Sequence, residues 1–191
     1  IAATERERHD FRHHYVAIRD IVNCGDIQKA QEYFNQYDSA YPLRKPLLVC
    51  HNAMLNAILS HYLDNATQGG VKVTCAVNIP QAIGIDTLEL GVVMGNLVEN
   101  AVEATLRQGD AADKFVDIKT NIVGQQLVAI IANSYDGRIK NENGEYLSSK
   151  RINKVGIGID SVKKLVAKNG GNLKIEYDEK VFTAAVALNI C

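Results

Sequence analysis

The chain has 191 residues, 47% of them hydrophobic, and its 21 basic and 22 acidic side chains give a formal net charge of −1 at pH 7. These values are typical of a globular protein with a sizeable core, and they exclude the broad basic surface that nucleic-acid-binding proteins carry. No apolar run approaches the ~20 residues that span a bilayer. The four cysteines lack C-x-x-C spacing, so we expect reduced thiols in a cytosolic compartment.

The N-terminal segment predicts two helices joined by a short turn. Apolar residues at helical spacing predict a helix over residues 1–23, a break at 24–26 and a second helix from 27 to about 37. Such a pair forms an antiparallel hairpin, which needs a partner helix pair to bury its apolar stripe. The chain begins within a helical pattern without Met, so we expect it to be a piece of a longer protein. A proline-containing break at 41–46 predicts a domain boundary after residue 45.

The remaining chain, 46–191, predicts a two-layer α/β sandwich in which helices cover one face of a mixed sheet. Residues 134–155 form a long polar segment, which is uncommon in a compact domain unless it is functional. The predicted elements are a helix at 47–67, a strand at 71–77, a helix at 86–107, strands at 115–123 and 127–133, a helix at 158–168, and strands at 172–177 and 181–190.

The helix at 86–107 carries a polar stripe on an otherwise apolar surface. Asn96, Glu99, Asn100 and Glu103 fall at i, i+3, i+4 and i+7, so they share one face. Burying such groups is unfavourable unless they meet a ligand or a hydrogen-bond network. Oxygen ligands without Lys or Arg suit Mg²⁺ carried in with a phosphate, with Asn100 the leading candidate. The alternative is a solvated amphipathic face.

Two glycines open the helix at 158–168. Gly156 and Gly158 allow the backbone to approach a ligand, and free N–H groups at a helix start favour anions. Lys150, in the preceding basic loop, can reach a phosphate. A tight turn explains the glycines equally well.

Two further segments offer candidate functional groups. Asn133 ends an apolar strand and presents an acceptor that suits an adenine amino group, although a turn also explains it. His9 is followed by Asp10, which would orient the imidazole for phosphoryl acceptance. His13 gives His9 an i, i+4 partner, but no third metal ligand is clustered with them. The alternative for this segment is a charged, solvent-facing stretch.

Together these motifs resemble a sensor histidine kinase of the two-component type, closest to the AgrC-like quorum-sensing and peptide-sensing subfamily. Residues 8–14 resemble its phosphoacceptor box, which implies phosphorylation of His9. Residues 96–101 resemble the N box of the Bergerat-fold ATPases, the superfamily of gyrases, chaperones, kinases and repair proteins. The resemblance makes Asn100 the Mg²⁺ ligand and puts Asn96 at the upstream catalytic or polar position.

The resemblance also assigns the remaining motifs. Gly156 and Gly158 match the glycine box over the phosphates, and residues 134–155 match the ATP lid. Asn133 matches the adenine-reading Asp, so an amide replaces a carboxylate there, and Asp136 is an alternative contact. Glu103 stands where many histidine kinases carry a basic residue.

This resemblance implies an enzyme that binds Mg²⁺ and ATP, autophosphorylates on a histidine and passes the phosphoryl group to a response regulator. Residues 1–45 would be a helical-hairpin dimerisation and phosphoacceptor region that forms a homodimer, and residues 46–191 an ATP-binding catalytic domain with a Bergerat-type α+β fold. The chain would be the cytoplasmic portion of a membrane protein, attached through a preceding sensor region.

Three other functions fit the same motifs. One is a non-catalytic switch that binds ATP without phosphoryl transfer. Another is a Bergerat-fold kinase that phosphorylates a serine on a partner, for which His9 would be irrelevant. The third is a helical dimerisation module with a decayed ATPase fold.

Overall fold

The structure is a computed structural model that describes residues 2–40, 49–81, 83–109, 113–137, 141–142, 145–146 and 157–190. Side chains are described at residues 12–36, 49–81, 83–109, 113–137 and 158–190. The chain divides into two compact units, Ile1–Lys45 and Pro46–Cys191. Among the described residues no helix is long and apolar enough to cross a membrane.

The first unit consists of two helices, α1 (Ala2–Asn23) and α2 (Ile27–Ala40). The turn between them contains Gly25, whose φ of 74° lies in the left-handed region that glycine tolerates. Asp26 caps α2, because its side chain accepts a hydrogen bond of 3.0 Å from the Lys29 N–H. The two helices contact each other through His14 Nδ1 and the Tyr33 hydroxyl, 2.6 Å apart. Several large apolar side chains of this unit are exposed, namely Tyr15, Val22, Ile27 and Phe34.

The second unit is built on a five-stranded mixed sheet with the strand order β1-β2-β3-β7-β6. Strand β1 runs parallel to β2, and the other pairs are antiparallel. This arrangement confirms the predicted α+β sandwich. The elements are α3 (Ala53–Gln68), β1 (Lys72–Val77), α4 (Thr87–Leu106), β2 (Phe115–Val123), β3 (Gln126–Ser134), β4 (Asn141–Glu142), β5 (Glu145–Tyr146), α5 (Ile157–Lys168), β6 (Asn172–Tyr177) and β7 (Val181–Asn189).

The core lies between the helices and one face of the sheet. Alternate residues of β3 are buried at Leu127, Ala129 and Ile131, whereas Ile130 between them is 40% exposed. This period of two is expected for a sheet with a single covered face. Helix α4 lies at the centre of the helical layer, where it contacts α3, α5, β2 and β3. Its buried apolar side chains are Leu90, Val93, Met94, Leu97, Val98, Ala101 and Val102.

Two predicted elements differ from the structure. Helix α3 begins at Ala53 rather than at residue 47, because the Asn52 side chain accepts a 3.0 Å hydrogen bond from the Leu55 N–H and acts as the N-cap. The predicted loop at 134–155 contains two short antiparallel strands, β4 and β5. The three described cysteines are free, as the sequence predicts.

The turn between α5 and β6 has no room for a side chain at Gly171. A Cβ atom there would lie 2.1 Å from the backbone oxygen of Ala187. We therefore expect Gly171→Ala to lower the free energy of unfolding by about 2 kcal/mol or more, since backbone must move. Urea denaturation measures this effect. Gly109→Ala is the matched control, because a Cβ at Gly109 meets nothing within 4 Å, and equal stabilities of the two variants would contradict the prediction.

Candidate nucleotide-binding site

Helix α4 carries the predicted polar stripe into the interior of the second unit. The helix begins after Asp86, whose side chain accepts a 3.0 Å hydrogen bond from the Glu89 N–H. The four stripe residues are each half-buried: Asn96, Glu99, Asn100 and Glu103. They lie on the same helix as ten buried residues, so the stripe runs along the edge of the core and remains partly exposed.

The stripe is divided between the two neighbouring helices. Glu99 and Glu103 face α3, where Glu99 hydrogen-bonds Tyr62. Burial raises the pKa of Tyr62, and the charges of these two carboxylates raise it further. Asn96 and Asn100 instead face the start of α5. The amide pair and the carboxylate pair therefore have different surroundings, although they alternate along one helix face.

The two amides converge on Gly158. A Cβ atom built on Gly158 would lie 2.9 Å from Asn96 Oδ1 and 3.3 Å from Asn100 Nδ2. The Asn96 amide is oriented by its Nδ2 group, which donates a 2.7 Å hydrogen bond to the backbone oxygen of Val92. The backbone at the first turn of α5 thus approaches Asn96 more closely than a residue with a Cβ would allow, and Asn100 closely enough that a Cβ would be crowded, as expected for a ligand-binding helix N-terminus.

Asn100 has an unsatisfied polar group. Its Nδ2 atom is buried and has no hydrogen-bond partner among the described residues. Leaving a buried donor unpaired costs about 1–3 kcal/mol, so such an atom in a native site points to a ligand. Its place beside the N-terminal turn of α5 fits a phosphate group.

The donor set also fits Mg²⁺ that arrives with a phosphate. Among the described residues no group of three or more His, Cys, Asp and Glu side chains can hold a metal by itself. Mg²⁺ keeps several waters and binds through few protein oxygens together with substrate phosphates. Asn100 would hold the ion through its amide oxygen, and the bound ion would neutralise charge on the phosphate oxygens.

Glu89 ties the far end of α5 to the start of α4. Its carboxylate forms an ion pair with Lys168 and accepts a 3.0 Å hydrogen bond from Asn169 Nδ2. The two helices are antiparallel, because the other end of α5 lies against Asn96 and Asn100.

The contacts of Glu89 with Lys168 and Asn169 predict a pH dependence of the free energy of unfolding. Hydrogen bonds from Lys168 and Asn169 hold the pKa of Glu89 below its usual value of 4.5. Because folding lowers this pKa, the ionised Glu89 carboxylate stabilises the fold at pH values above 4.5, and this stabilisation is lost as the pH falls through the pKa of the folded state. Urea denaturation of Glu89→Gln should show lower stability than wild type at about pH 7 and a smaller difference at about pH 3. The effect is modest, because Lys168 is 68% exposed, and a difference that does not change with pH would contradict the prediction.

Asn133 lies at the end of β3 and is 1% exposed. Its Nδ2 donates a 2.8 Å hydrogen bond to the backbone oxygen of Ser134. The same oxygen lies 2.9 Å from the Thr105 hydroxyl of α4. The Ser134 hydroxyl accepts from the Phe115 N–H at 3.0 Å and from Gln108 Nε2 at 2.7 Å. This network connects the end of β3 to α4 and to the start of β2.

Two residues of this network, Thr105 and Gln108, are not singled out by the sequence pattern. Thr105 is fully buried and lies five residues after Asn100, about 7.5 Å further along the helix axis. A hydroxyl in an apolar helix is the signal that could have identified it. The predicted site therefore has two parts along α4, an amide–glycine part and a strand-end part containing Asn133.

The structure describes the other predicted site residues only in part. Asp136 is half-buried just after β3. His9 and Asp10 lie on α1, but their side chains lie outside the described residues, as do Lys150 and Gly156 altogether. His13, one turn after His9, is exposed.

A mixed sheet covered by helices on one face defines a two-layer α/β sandwich. The chain belongs to the GHKL family, a family of ATP-binding domains, because the model of the GHKL domain matches residues 85–189, more than half of the chain.

Solved structures of histidine kinases share this fold. The catalytic domain of histidine kinase ThkA matches with a TM-score of 0.53 at 18% identity, over 72% of this chain and 92% of that domain. The Acinetobacter baumannii histidine kinase AdeS matches with a TM-score of 0.53 at 15% identity, over 95% of this chain and 98% of AdeS. Full-length ShkA in complex with AMPPNP matches with a TM-score of 0.55 at 15% identity, over 77% of this chain and 31% of ShkA. Among curated proteins no sequence matches the chain.

Proposed function

We propose that this chain is the cytoplasmic kinase portion of an AgrC-like sensor histidine kinase, which binds Mg²⁺ and ATP and transfers the γ-phosphoryl group to a histidine. The observation that carries the proposal is the convergence of Asn96, Asn100 and Gly158, with a buried Asn100 Nδ2 that lacks a partner among the described residues. Membership in the GHKL family and the fold shared with histidine kinase catalytic domains support it.

Each site residue has a proposed role. Asn100 holds Mg²⁺, and the neighbouring Asn96 orders the reacting end of the nucleotide. Backbone N–H groups near Gly156 and Gly158 bind phosphate oxygens at the positive end of α5. Lys150 adds a positive charge to the same region. In the other part of the site Asn133 contacts adenine, with Asp136 at the boundary of the bound nucleotide, whereas Glu103 lies on the side of α4 that faces Tyr62 of α3.

The proposed reaction is an in-line displacement at the γ-phosphorus. A neutral imidazole nitrogen of His9 attacks, a nitrogen–phosphorus bond forms, and the bond to the bridging oxygen breaks as ADP leaves. Asp10 supports the imidazole and the positive charge that develops on it. The phosphoryl group then passes to an aspartate of a response regulator.

Residues 1–45 are the proposed phosphoacceptor and dimerisation region. The exposed apolar side chains of α1 and α2, including Tyr15 and Phe34, support a homodimer in which two helix pairs form a four-helix bundle. Residues 46–191 are the proposed catalytic domain. The membrane sensor would lie N-terminal to residue 1.

The test is incubation with γ-labelled ATP and Mg²⁺, with the protein-bound label followed through acid and alkali. We expect an acid-labile, alkali-stable label that His9→Gln abolishes. His13→Gln is the essential comparison, because His13 is exposed one turn away and lies three residues from Asp10, a spacing at which helix side chains face each other. A label lost only in His13→Gln would move the acceptor to His13 and leave the histidine kinase in place.

The same experiment separates the competing functions. ATP that binds and stays intact, with no label on the protein, would establish a nucleotide-dependent switch. An acid-stable label on a partner protein would establish a serine kinase. Absence of any nucleotide-dependent thermal shift would indicate a decayed ATPase fold that serves dimerisation alone.

A further inference from the structure

We propose that Tyr135 is a positioning residue for nucleotide binding, because it attaches the turn that carries Asp136 to the hairpin formed by β6 and β7. This inference rests on the proposed ATP-binding function and adds a part of the chain, outside α4 and α5, on which the site depends. Tyr135 directly follows β3, and 7% of its surface is exposed. Asp136 comes next, and it is followed by Gly137, whose φ of 73° lies in the left-handed region that favours glycine.

Two hydrogen bonds join Tyr135 to the turn between β6 and β7. The Tyr135 N–H donates to the backbone oxygen of Lys180 at 3.1 Å, and the Tyr135 hydroxyl donates to the backbone oxygen of Asp178. A buried tyrosine hydroxyl needs a partner of this kind. Burial raises the pKa of Tyr135, and the charge of Asp178 raises it further, so the hydroxyl stays protonated and remains a donor. The backbone and the side chain of Tyr135 are therefore attached to the same turn.

The turn between β6 and β7 has a defined shape that suits these bonds. The Asp178 carboxylate accepts hydrogen bonds from the Lys180 N–H at 2.7 Å and from the Val181 N–H at 2.8 Å, which closes the turn locally. The Tyr135 ring packs edge-on against the ring of Phe182, with the centroids 6.2 Å apart. The turn thus presents the backbone oxygens of Asp178 and Lys180 at fixed positions beside the end of β3.

Attachment of Tyr135 restricts the positions that are open to Asp136. The chain runs close to the hairpin on both sides of Asp136, because a Cβ atom built on Gly137 would lie 3.6 Å from the backbone oxygen of Glu179. A binding residue that is already held in place loses less conformational freedom when the ligand binds, which raises the affinity. Nucleotide affinity should therefore depend on the Tyr135 hydroxyl, although this group bonds the hairpin and not the ligand.

The first experiment is calorimetric titration of Tyr135→Phe with Mg²⁺ and the non-hydrolysable ATP analogue AMPPNP. Tyr177→Phe is the matched control, because it removes a hydroxyl from the same hairpin at a side chain that is 49% exposed. We expect Tyr135→Phe to bind AMPPNP about three- to tenfold more weakly than wild type, as the loss of one hydrogen bond does, and Tyr177→Phe to keep the wild-type affinity. Equal affinities of the two variants would overturn the inference. Failure of the wild-type chain to bind AMPPNP would instead overturn the proposed function itself.

The second experiment distinguishes positioning through the turn from a general loss of packing. Asp178→Asn keeps an acceptor oxygen for the two N–H groups, so we expect it to bind AMPPNP as wild type does, whereas Asp178→Ala should lose as much affinity as Tyr135→Phe. The two losses act through one contact, so the double variant Tyr135→Phe/Asp178→Ala should bind within about twofold of the weaker single variant. Losses that multiply in the double variant, or an Asp178→Asn variant as weak as Asp178→Ala, would overturn the inference. All variants are compared at a temperature at which thermal unfolding shows them folded.

Discussion

Replacing Asn100 with alanine should reduce Mg²⁺-dependent ATP binding and histidine labelling at least about a hundredfold. Asn100 is the proposed Mg²⁺ ligand, and its amide is the one side-chain group near Gly158 that is buried without a partner among the described residues. Removing a ligand that the transition state requires usually has an effect of this size. Titration with AMPPNP and single-turnover labelling would measure binding and transfer separately.

The same substitution should leave the fold intact. Alanine has the highest helix propensity and removes a buried donor without a partner, so the free energy of unfolding should stay the same or rise. Asn65→Ala is the matched control, because Asn65 is an exposed asparagine on helix α3. An Asn100→Ala variant that binds Mg²⁺ and ATP as well as Asn65→Ala does would refute the assignment of Asn100 as the ligand.

Local signals in the sequence predicted most of the elements correctly. The structure explains this success, because the cap at Asp86, the apolar spacing of α4 and the turn at Gly124 each involve residues that are close together in the chain. Gly124 has a φ of 60°, as a tight hairpin turn requires. The start of α3 was misplaced because the apolar pattern continues upstream, whereas the boundary depends on the hydrogen bond from Leu55 to Asn52.

The sequence could place the site residues on one helix face but could not predict their surroundings. The stripe of α4 is divided between Tyr62 on α3 and Gly158 on α5, and both contacts depend on how the helices pack. The Thr105–Ser134 contact joins residues 29 positions apart. A contact between residues so far apart in the chain depends on the whole fold, which a short spacing pattern does not encode.

Gly158→Ala should separate nucleotide binding from folding. The new Cβ atom would lie 2.9 Å from Asn96 Oδ1, which belongs to a side chain that can rotate, whereas the clash at Gly171 involves backbone. Breaking the bond from Asn96 to Val92 lets the amide move aside, so the fold should survive with a stability close to wild type. The displaced amide and the new methyl group would then occupy the space proposed for phosphate.

We therefore expect Gly158→Ala to lower AMPPNP affinity at least about tenfold while its thermal midpoint stays close to that of Gly109→Ala, which introduces the same methyl group into open space. A loss of stability as large as that of Gly171→Ala would mean that Asn96 cannot move and that the amide–glycine contact is structural. Unchanged affinity would place the phosphates away from the start of α5. A phosphate-binding turn predicts reduced affinity with retained stability, because the fold can accommodate a methyl group beside Gly158 whereas a bound phosphate needs that space.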